Sequence, residues 1–153
     1  MKPFRFSLDS VLRLREETVE RAKDQLAVEM VQLNQAQHKL DQVNDRIEQA
    51  REAFRESMSN GSDSGLVVQL RQFMVSLENE RQSRAMTLEG HQVRVETCRK
   101  GLVSARLKLD TIETIRSRRL KEHEAKERQE AQKETDELVI QGFGNGVGMR
   151  YAG

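Results

Sequence analysis

Apolar residues recur every seven positions along the first third of the chain, and this spacing constrains the fold more than any other feature. The series runs without a miss through Leu12, Val19, Leu26, Leu33, Leu40, Ile47 and Phe54. Most members are followed three residues later by a second apolar residue, at Ala22, Ala36, Val43 and Ala50. Alternating spacings of three and four place these side chains along one stripe of an α-helix, the pattern of a coiled-coil seam.

A second heptad series begins near residue 70. One seam position holds Met74, Leu88, Val95, Leu102 and Leu109, and the other holds Leu70, Leu77, Cys98, Ala105 and Ile112. Polar residues interrupt the two series at Arg15, Glu29, Arg81, Arg84 and His91. Between the series lies a cluster of turn-forming Ser, Asn, Asp and Gly residues at 57–65, where we expect the chain to reverse.

A reversal near residue 62 brings the two series into register. Facing residues then have numbers that sum to about 124, so that apolar seam positions meet one another. Phe54 meets Leu70, and Ile47 meets Leu77. The sequence therefore predicts an all-α fold, a long antiparallel two-helix coiled-coil hairpin whose second helix is longer than the first.

Proline and glycine set the expected boundaries. No proline follows Pro3, and glycine is absent from residue 4 to residue 60, so the first helix can run unbroken. We expect a single hairpin over residues 1–141, with a helix at about 8–57, a turn at about 58–65 and a helix at about 66–141. The glycines from Gly142 onward predict a flexible C-terminal tail over 142–153.

Composition excludes several functional classes. Charged residues make up 33% of the chain and aromatic residues 4%, which suits long solvated helices better than a compact core. The net charge of +1 disfavours binding of nucleic acid or anionic lipid through bulk electrostatics. No apolar run is long enough for a membrane span, so we expect no direct membrane insertion. The single cysteine, Cys98, fits a reducing cytoplasm.

Neither catalytic nor metal-binding residues stand out. His38, His91 and His123 are far apart and lack metal-ligand spacing. Cys98 falls in a seam layer opposite Leu26, which favours a buried packing role over a reactive thiol. We therefore expect no enzyme and no cofactor or metal, and a function in binding other proteins.

Three surface features have no role in the predicted seam. Two apolar groups lie at the open end of the hairpin, Phe4, Phe6, Leu8 and Val11 before and at the start of the first helix, and Leu138, Val139, Ile140 and Phe143 near the end of the second. They either pack locally or face a partner, and the same alternatives apply to Phe73 near the turn. The basic run 116–121 is either a solvated helix face or a docking surface for an acidic protein patch. The glutamates that follow it and the absence of interleaved aromatics disfavour nucleic acid.

Three segments carry a family resemblance. The opening has the pattern Phe4-x-Phe6-x-Leu8-x-x-Val11-Leu12-x-x-Arg15, the stretch 70–77 contains a Gln-Phe-x-x-x-Leu segment, and 130–138 is acidic. In this order and spacing, the chain resembles the family of the flagellar export protein FliJ over nearly its whole length. The resemblance implies a non-enzymatic, stalk-like component of the flagellar type III protein export apparatus.

The resemblance also implies partners and contact residues. Members of that family bind the hexameric export ATPase and the cytoplasmic domain of the export gate membrane protein, and they escort export chaperones. The protein would then be cytoplasmic and peripherally associated with the inner membrane at the flagellar base. On this sequence, the ATPase-contacting end would comprise Phe4, Phe6, Leu8, Val11, Arg118, Arg119, Leu138 and Ile140. The export-gate face would include Phe73 and Leu77, although this chain has Arg46 and Ala50 where family members can carry facing aromatics.

Two other functions fit the same architecture. One is the equivalent stalk protein of a virulence type III secretion system, and the other is a generic coiled-coil adaptor. Neighbouring flagellar genes would favour the flagellar role.

Overall fold

The protein is all-helical in the residues that its structure, a computed structural model, describes. The backbone is described for residues 2–61 and 63–150, and the side chains for residues 2–61 and 63–146. Helix α1 spans Asp9–Ser59 and helix α2 spans Ser64–Arg150, and these residues contain no strand. With 87 residues against 51, α2 is the longer helix. The predicted fold class, a two-helix coiled-coil hairpin with a longer second helix, is confirmed.

The first helix begins where the sequence offers an acidic residue. The backbone N–H of Asp9 donates to the carbonyl of Phe6 at 3.2 Å, and that of Leu12 donates to the carbonyl of Leu8 at 2.9 Å. A carboxylate in the first turn interacts favourably with the positive end of the helix dipole. No proline follows to interrupt the backbone hydrogen bonds, so α1 continues for 51 residues.

The turn between the helices uses a glycine and an aspartate. Gly61 has a φ of 67°, a left-handed conformation that glycine adopts at little cost just after a helix. Asp63 then accepts a hydrogen bond through its carboxylate from the backbone N–H of Gly65 at 3.4 Å, as a residue at the N-terminus of a helix does. The predicted centre of the reversal, residue 62, lies outside the described residues.

The far end of α2 differs from the prediction. The helix extends to Arg150, past the predicted end near residue 141, so Gly142, Gly144 and Gly146 are helical. Glycine disfavours a helix by about 1 kcal/mol relative to alanine but does not obstruct it sterically, whereas proline does. The flexibility of the tail over 142–153 stays a prediction, and its residues 151–153 lie outside the described residues.

Contacts divide the chain into two compact units. The hairpin unit comprises residues 18–106, and the terminal unit comprises residues 1–17 with 107–153. Within the hairpin unit, Arg46 of α1 contacts Glu80 of α2, and Glu29 contacts His91. The lower number on α1 goes with the higher number on α2, so the helices run antiparallel. These pairs sum to 126 and 120, close to the register predicted from the heptads.

The core of the hairpin unit is the predicted seam. Val43, Ile47 and Ala50 form a buried cluster with Leu77, and Met74 packs against it. Every predicted heptad position of this unit, polar ones included, is buried or half-buried. Full burial of one aliphatic side chain stabilises a fold by roughly 1.5–3 kcal/mol, so this stripe is the main source of stability in the unit.

We expect the substitution Leu77→Ala to lower the free energy of unfolding by about 2–5 kcal/mol, because Leu77 is only 1% exposed and its truncation leaves a cavity. Urea denaturation followed by circular dichroism measures the change. The matched control is Val28→Ala, since Val28 lies in the same unit and is 56% exposed. Its effect should stay within about 0.5 kcal/mol. Equal losses in the two variants would contradict this account of the core.

Candidate protein-binding surfaces

The described residues offer neither a metal centre nor a membrane span. They contain no group of three or more His, Cys, Asp or Glu side chains that could hold a metal ion. None of their helical stretches combines the length and hydropathy that crossing a bilayer requires. Cys98, a seam residue, is half-buried. The residues that remain to be placed are those predicted to contact proteins.

Arginines at seam positions reach the edge of the seam. The Nε atom of Arg81 donates to the Oε1 atom of Glu78, one turn earlier, at 2.9 Å. This hydrogen bond lowers the pKa of Glu78 and raises the pKa of Arg81. Arg84, also at a seam position, lies 3.8 Å from the carboxylate of Glu80, and Arg46, which is outside the seam series, approaches the same carboxylate at 3.3 Å. The charged ends thus leave the apolar stripe, while the aliphatic stems remain beside it.

The hairpin unit contains a polar contact that the heptad pattern did not predict. The Nδ1 atom of His91 lies 3.8 Å from the Oε2 atom of Glu29, with side chains only 17% and 22% exposed. Neither atom has a hydrogen-bond partner among the described residues. Both residues interrupt the heptad series, and their numbers nearly satisfy the predicted sum. Pairing the interruptions with one another would therefore have found this contact.

In the terminal unit, the residues before α1 pack against α2. The ring of Phe4 meets the ring of His123 edge-on, with centroids 5.6 Å apart. The guanidinium of Arg119 lies over the ring of Phe6, 5.8 Å from its centroid, and its Nη1 atom donates to the Oγ atom of Ser7 at 2.6 Å. We call these five residues the N-terminal clasp. Both aromatic residues are half-buried, so each has a local packing partner.

Two further residues predicted for the ATPase-contacting end lie on α1 or just before it. Leu8 and Val11 are half-buried, like the aromatic residues of the clasp. The adjacent arginines of α2 differ from each other. Arg119 belongs to the clasp, whereas the side chain of Arg118 is 82% exposed and pairs with Glu122 on the same helix, at 3.3 Å. Arg118 is thus the arginine available to an acidic partner.

The remaining predicted contact residues lie elsewhere on α2. Leu138 and Ile140 are each 69% exposed, and every residue from 128 to 146 is exposed. At ~1.5 Å per residue, Leu138 is roughly 28 Å along the helix from Arg119. The structure therefore does not bring the two predicted apolar groups together. We call the second group, Leu138, Val139, Ile140 and Phe143, the distal α2 surface.

The two residues predicted for the export-gate face also differ. Phe73 is 46% exposed, whereas Leu77 is buried in the core of the hairpin unit. Ala50 is buried in the same core, and Arg46 is paired with Glu80. Of the two predicted residues, only Phe73 presents its side chain at the surface of this unit.

Comparisons with known proteins agree with the fold. A family model described as flagellar FliJ protein matches residues 4–148. Among solved structures, the chain is similar to a putative YscO homolog from Chlamydia trachomatis, with 21% sequence identity and a TM-score of 0.63. The match covers 92% of this chain and 93% of that chain, and at this identity it shows the fold alone. No curated protein matches the sequence.

We expect Arg119→Ala to loosen the N-terminal clasp, because it removes the hydrogen bond to Ser7 and the cation over Phe6. Hydrogen exchange at the backbone amides of residues 8–12 should become faster, since the start of α1 then loses its support. Arg118→Ala is the matched control, and it should leave exchange unchanged because Arg118 pairs within its own helix. Equal hydrogen-exchange protection of residues 8–12 in the two variants would show that the clasp does not stabilise the start of α1.

Proposed function

Because the chain belongs to the flagellar FliJ protein family, we propose that it acts as a non-enzymatic stalk of the type III export apparatus and binds the hexameric export ATPase. The match of the family model to residues 4–148 favours the flagellar system over the virulence equivalent that the sequence left open. The protein would work in the cytoplasm, at the membrane surface of the flagellar base, and would also bind the export gate and the export chaperones.

The observation that carries the proposal is the distal α2 surface. Over residues 128–146 the helix is exposed on every side, yet its surface includes Leu138, Ile140 and Phe143, which are 69–73% exposed. Ile140 and Phe143 lie one turn apart on the same side of the helix, and neighbouring exposed apolar side chains indicate a protein-binding surface. A helix without tertiary packing is also marginally stable in water, so a partner that covers it would stabilise it.

The N-terminal clasp supports the same proposal. Its two phenylalanine rings, Phe4 and Phe6, are half-buried, and the side chain of Arg118, which precedes the clasp residue Arg119 in the sequence, is exposed. A partner surface with an acidic patch could pair with this arginine while it covers the remaining ring surface. The ATPase-contacting residues would then form two separate contacts, the clasp and the distal α2 surface.

The first test measures binding to the cognate hexameric export ATPase. The wild-type chain should bind in a pull-down and change the oligomerisation and turnover of the ATPase. The double variant Leu138→Ser/Ile140→Ser should bind at least tenfold more weakly, because it removes two of the four apolar side chains of the distal α2 surface. The control Gln132→Ser/Glu134→Ser, on the same exposed stretch, should bind like the wild type. If the wild type neither binds nor alters the ATPase, the proposal fails.

The second test concerns the export gate. We propose that Phe73 contacts the cytoplasmic domain of the gate, whereas Leu77 holds the underlying core. Phe73→Ala should weaken binding to that domain at least tenfold without changing the stability of the chain, since exposed aromatics often dominate interface energies. Val68→Ala removes an exposed apolar side chain from another face of α2 and serves as the control. Unchanged affinity in the Phe73 variant would remove this residue from the gate contact.

A further inference from the structure

The side of α2 that points away from the seam is unusually apolar within the hairpin unit. Between residues 75 and 104, the outermost heptad positions are Asn79, Met86, Val93 and Lys100, and Met86 and Val93 are 74% and 62% exposed. This side of a coiled coil is normally polar. The outermost positions of α1 follow the usual pattern, with Asp24, Val31, His38, Asp45 and Glu52.

Two flanking rows complete this surface. One row contains two further exposed apolar residues, Val75 and Val103, which are 57% and 58% exposed. We call the outermost positions and the two rows together the outer face of α2. The first row is Val75, Gln82, Glu89, Glu96 and Val103, and the second is Ser76, Ser83, Gly90, Thr97 and Ser104.

The outer face of α2 is complementary to the same face of a second α2 helix that runs in the opposite direction. In an antiparallel pair of α2 helices related by one twofold axis, Met86 of each copy faces Val93 of the other, and Asn79 faces Lys100. In the same register, Val75 faces Val103. We propose that the outer face of α2 binds the same face of a second copy of this chain in the antiparallel orientation.

The row of small residues permits close approach. The twofold axis passes near Gly90, and Ser83 faces Thr97 across it. A Cβ atom at position 90 would meet nothing within 4 Å, so no packing inside the chain requires a glycine there. An interior helical glycine costs about 1 kcal/mol relative to alanine, and a close helix–helix contact gives it a role.

The charges favour this pairing over the other self-contact of the hairpin. The charged residues of the outer face are Glu89, Glu96 and Lys100. In the proposed register, Glu96 faces the amide of Gln82 and Lys100 faces the amide of Asn79, and each amide can form a hydrogen bond with the charged group. A pair of α1 helices would instead bring the acidic outermost positions of both copies together, which is unfavourable.

Two features limit the affinity. Glu89 lies near the axis, so its carboxylate approaches that of Glu89 in the second copy. The outer face of α2 also provides about 14 residues per copy, fewer than the roughly 20–30 of a standard interface. We therefore expect a weak dimer whose population rises with protein concentration. This proposal does not depend on the proposed function.

A cysteine crosslink tests the geometry. In the full-length chain with Cys98→Ala, the variant Gly90→Cys places a thiol beside its own symmetry mate. Oxidised glutathione should then give a disulfide-linked dimer with a yield that rises with protein concentration. Gly101→Cys is the matched control, because Gly101 lies on the same helix in open space and does not face itself in the proposed pair. Equal crosslinking at both positions would overturn the antiparallel register.

Charge substitutions test the pairing itself, by sedimentation equilibrium under reducing conditions. Asn79→Glu should lower the dissociation constant about threefold, because each copy then sets a carboxylate against Lys100 of the other. Asn79→Lys should raise the constant by a similar factor, and adding Lys100→Glu to that variant should reverse the effect. Met86→Lys should raise it at least tenfold, because it puts a charge in the apolar centre.

The control for these variants is Asp24→Lys, on the outward side of α1, which should have no effect. Glu89→Gln should lower the dissociation constant, because the repulsion near the axis is removed. A wild-type mass that stays monomeric at every concentration would refute the dimer. Identical effects of Asn79→Glu and Asn79→Lys would refute the register that sets residue 79 against Lys100.

Discussion

Burial of the apolar stripe between α1 and α2 determines what the rest of the hairpin unit can do. Ile47 and Leu77 occupy the interior because the heptad spacing keeps one face of each helix turned toward the other. Once that face is fixed, the outward position of every remaining residue follows from its place in the repeat. Phe73 and Met86 are exposed for this reason. The register of the seam therefore determines which residues are exposed and can bind other proteins.

The seam contains polar residues, and they affect how stability is distributed along the hairpin unit. Arg81 turns back to Glu78 and so costs little, whereas Glu29 and His91 remain inside with unsatisfied atoms. Buried polar atoms without partners are unfavourable, so the layer at Glu29 is weaker than the layer at Leu77. Stability is therefore distributed unevenly, with the strongest packing near the turn, in the same region as Phe73.

The features that could be predicted from the sequence are those that follow from its seven-residue repeat. Helix type, helix order and antiparallel register follow from the spacing of Leu12 to Phe54, since seven-residue repeats are local and redundant. The end of α2 could not be predicted, because glycine only weakens a helix. A proline would have ended it at a definite residue. The separation of Leu138 from the N-terminal clasp depends on which turn of α2 packs against the residues before α1, and those residues lie outside the heptad series that sets the register.

The contact of Ser7 with Arg119 joins residues 112 positions apart in the chain. Because closing so long a loop carries an entropic cost, this contact forms more readily once the intervening residues are ordered. The distal α2 surface, by contrast, consists of neighbours in sequence and exists as soon as one local helix forms. A protein that binds the clasp would consequently distinguish fully folded molecules from nascent or damaged ones. A protein that binds only the distal α2 surface would not make this distinction.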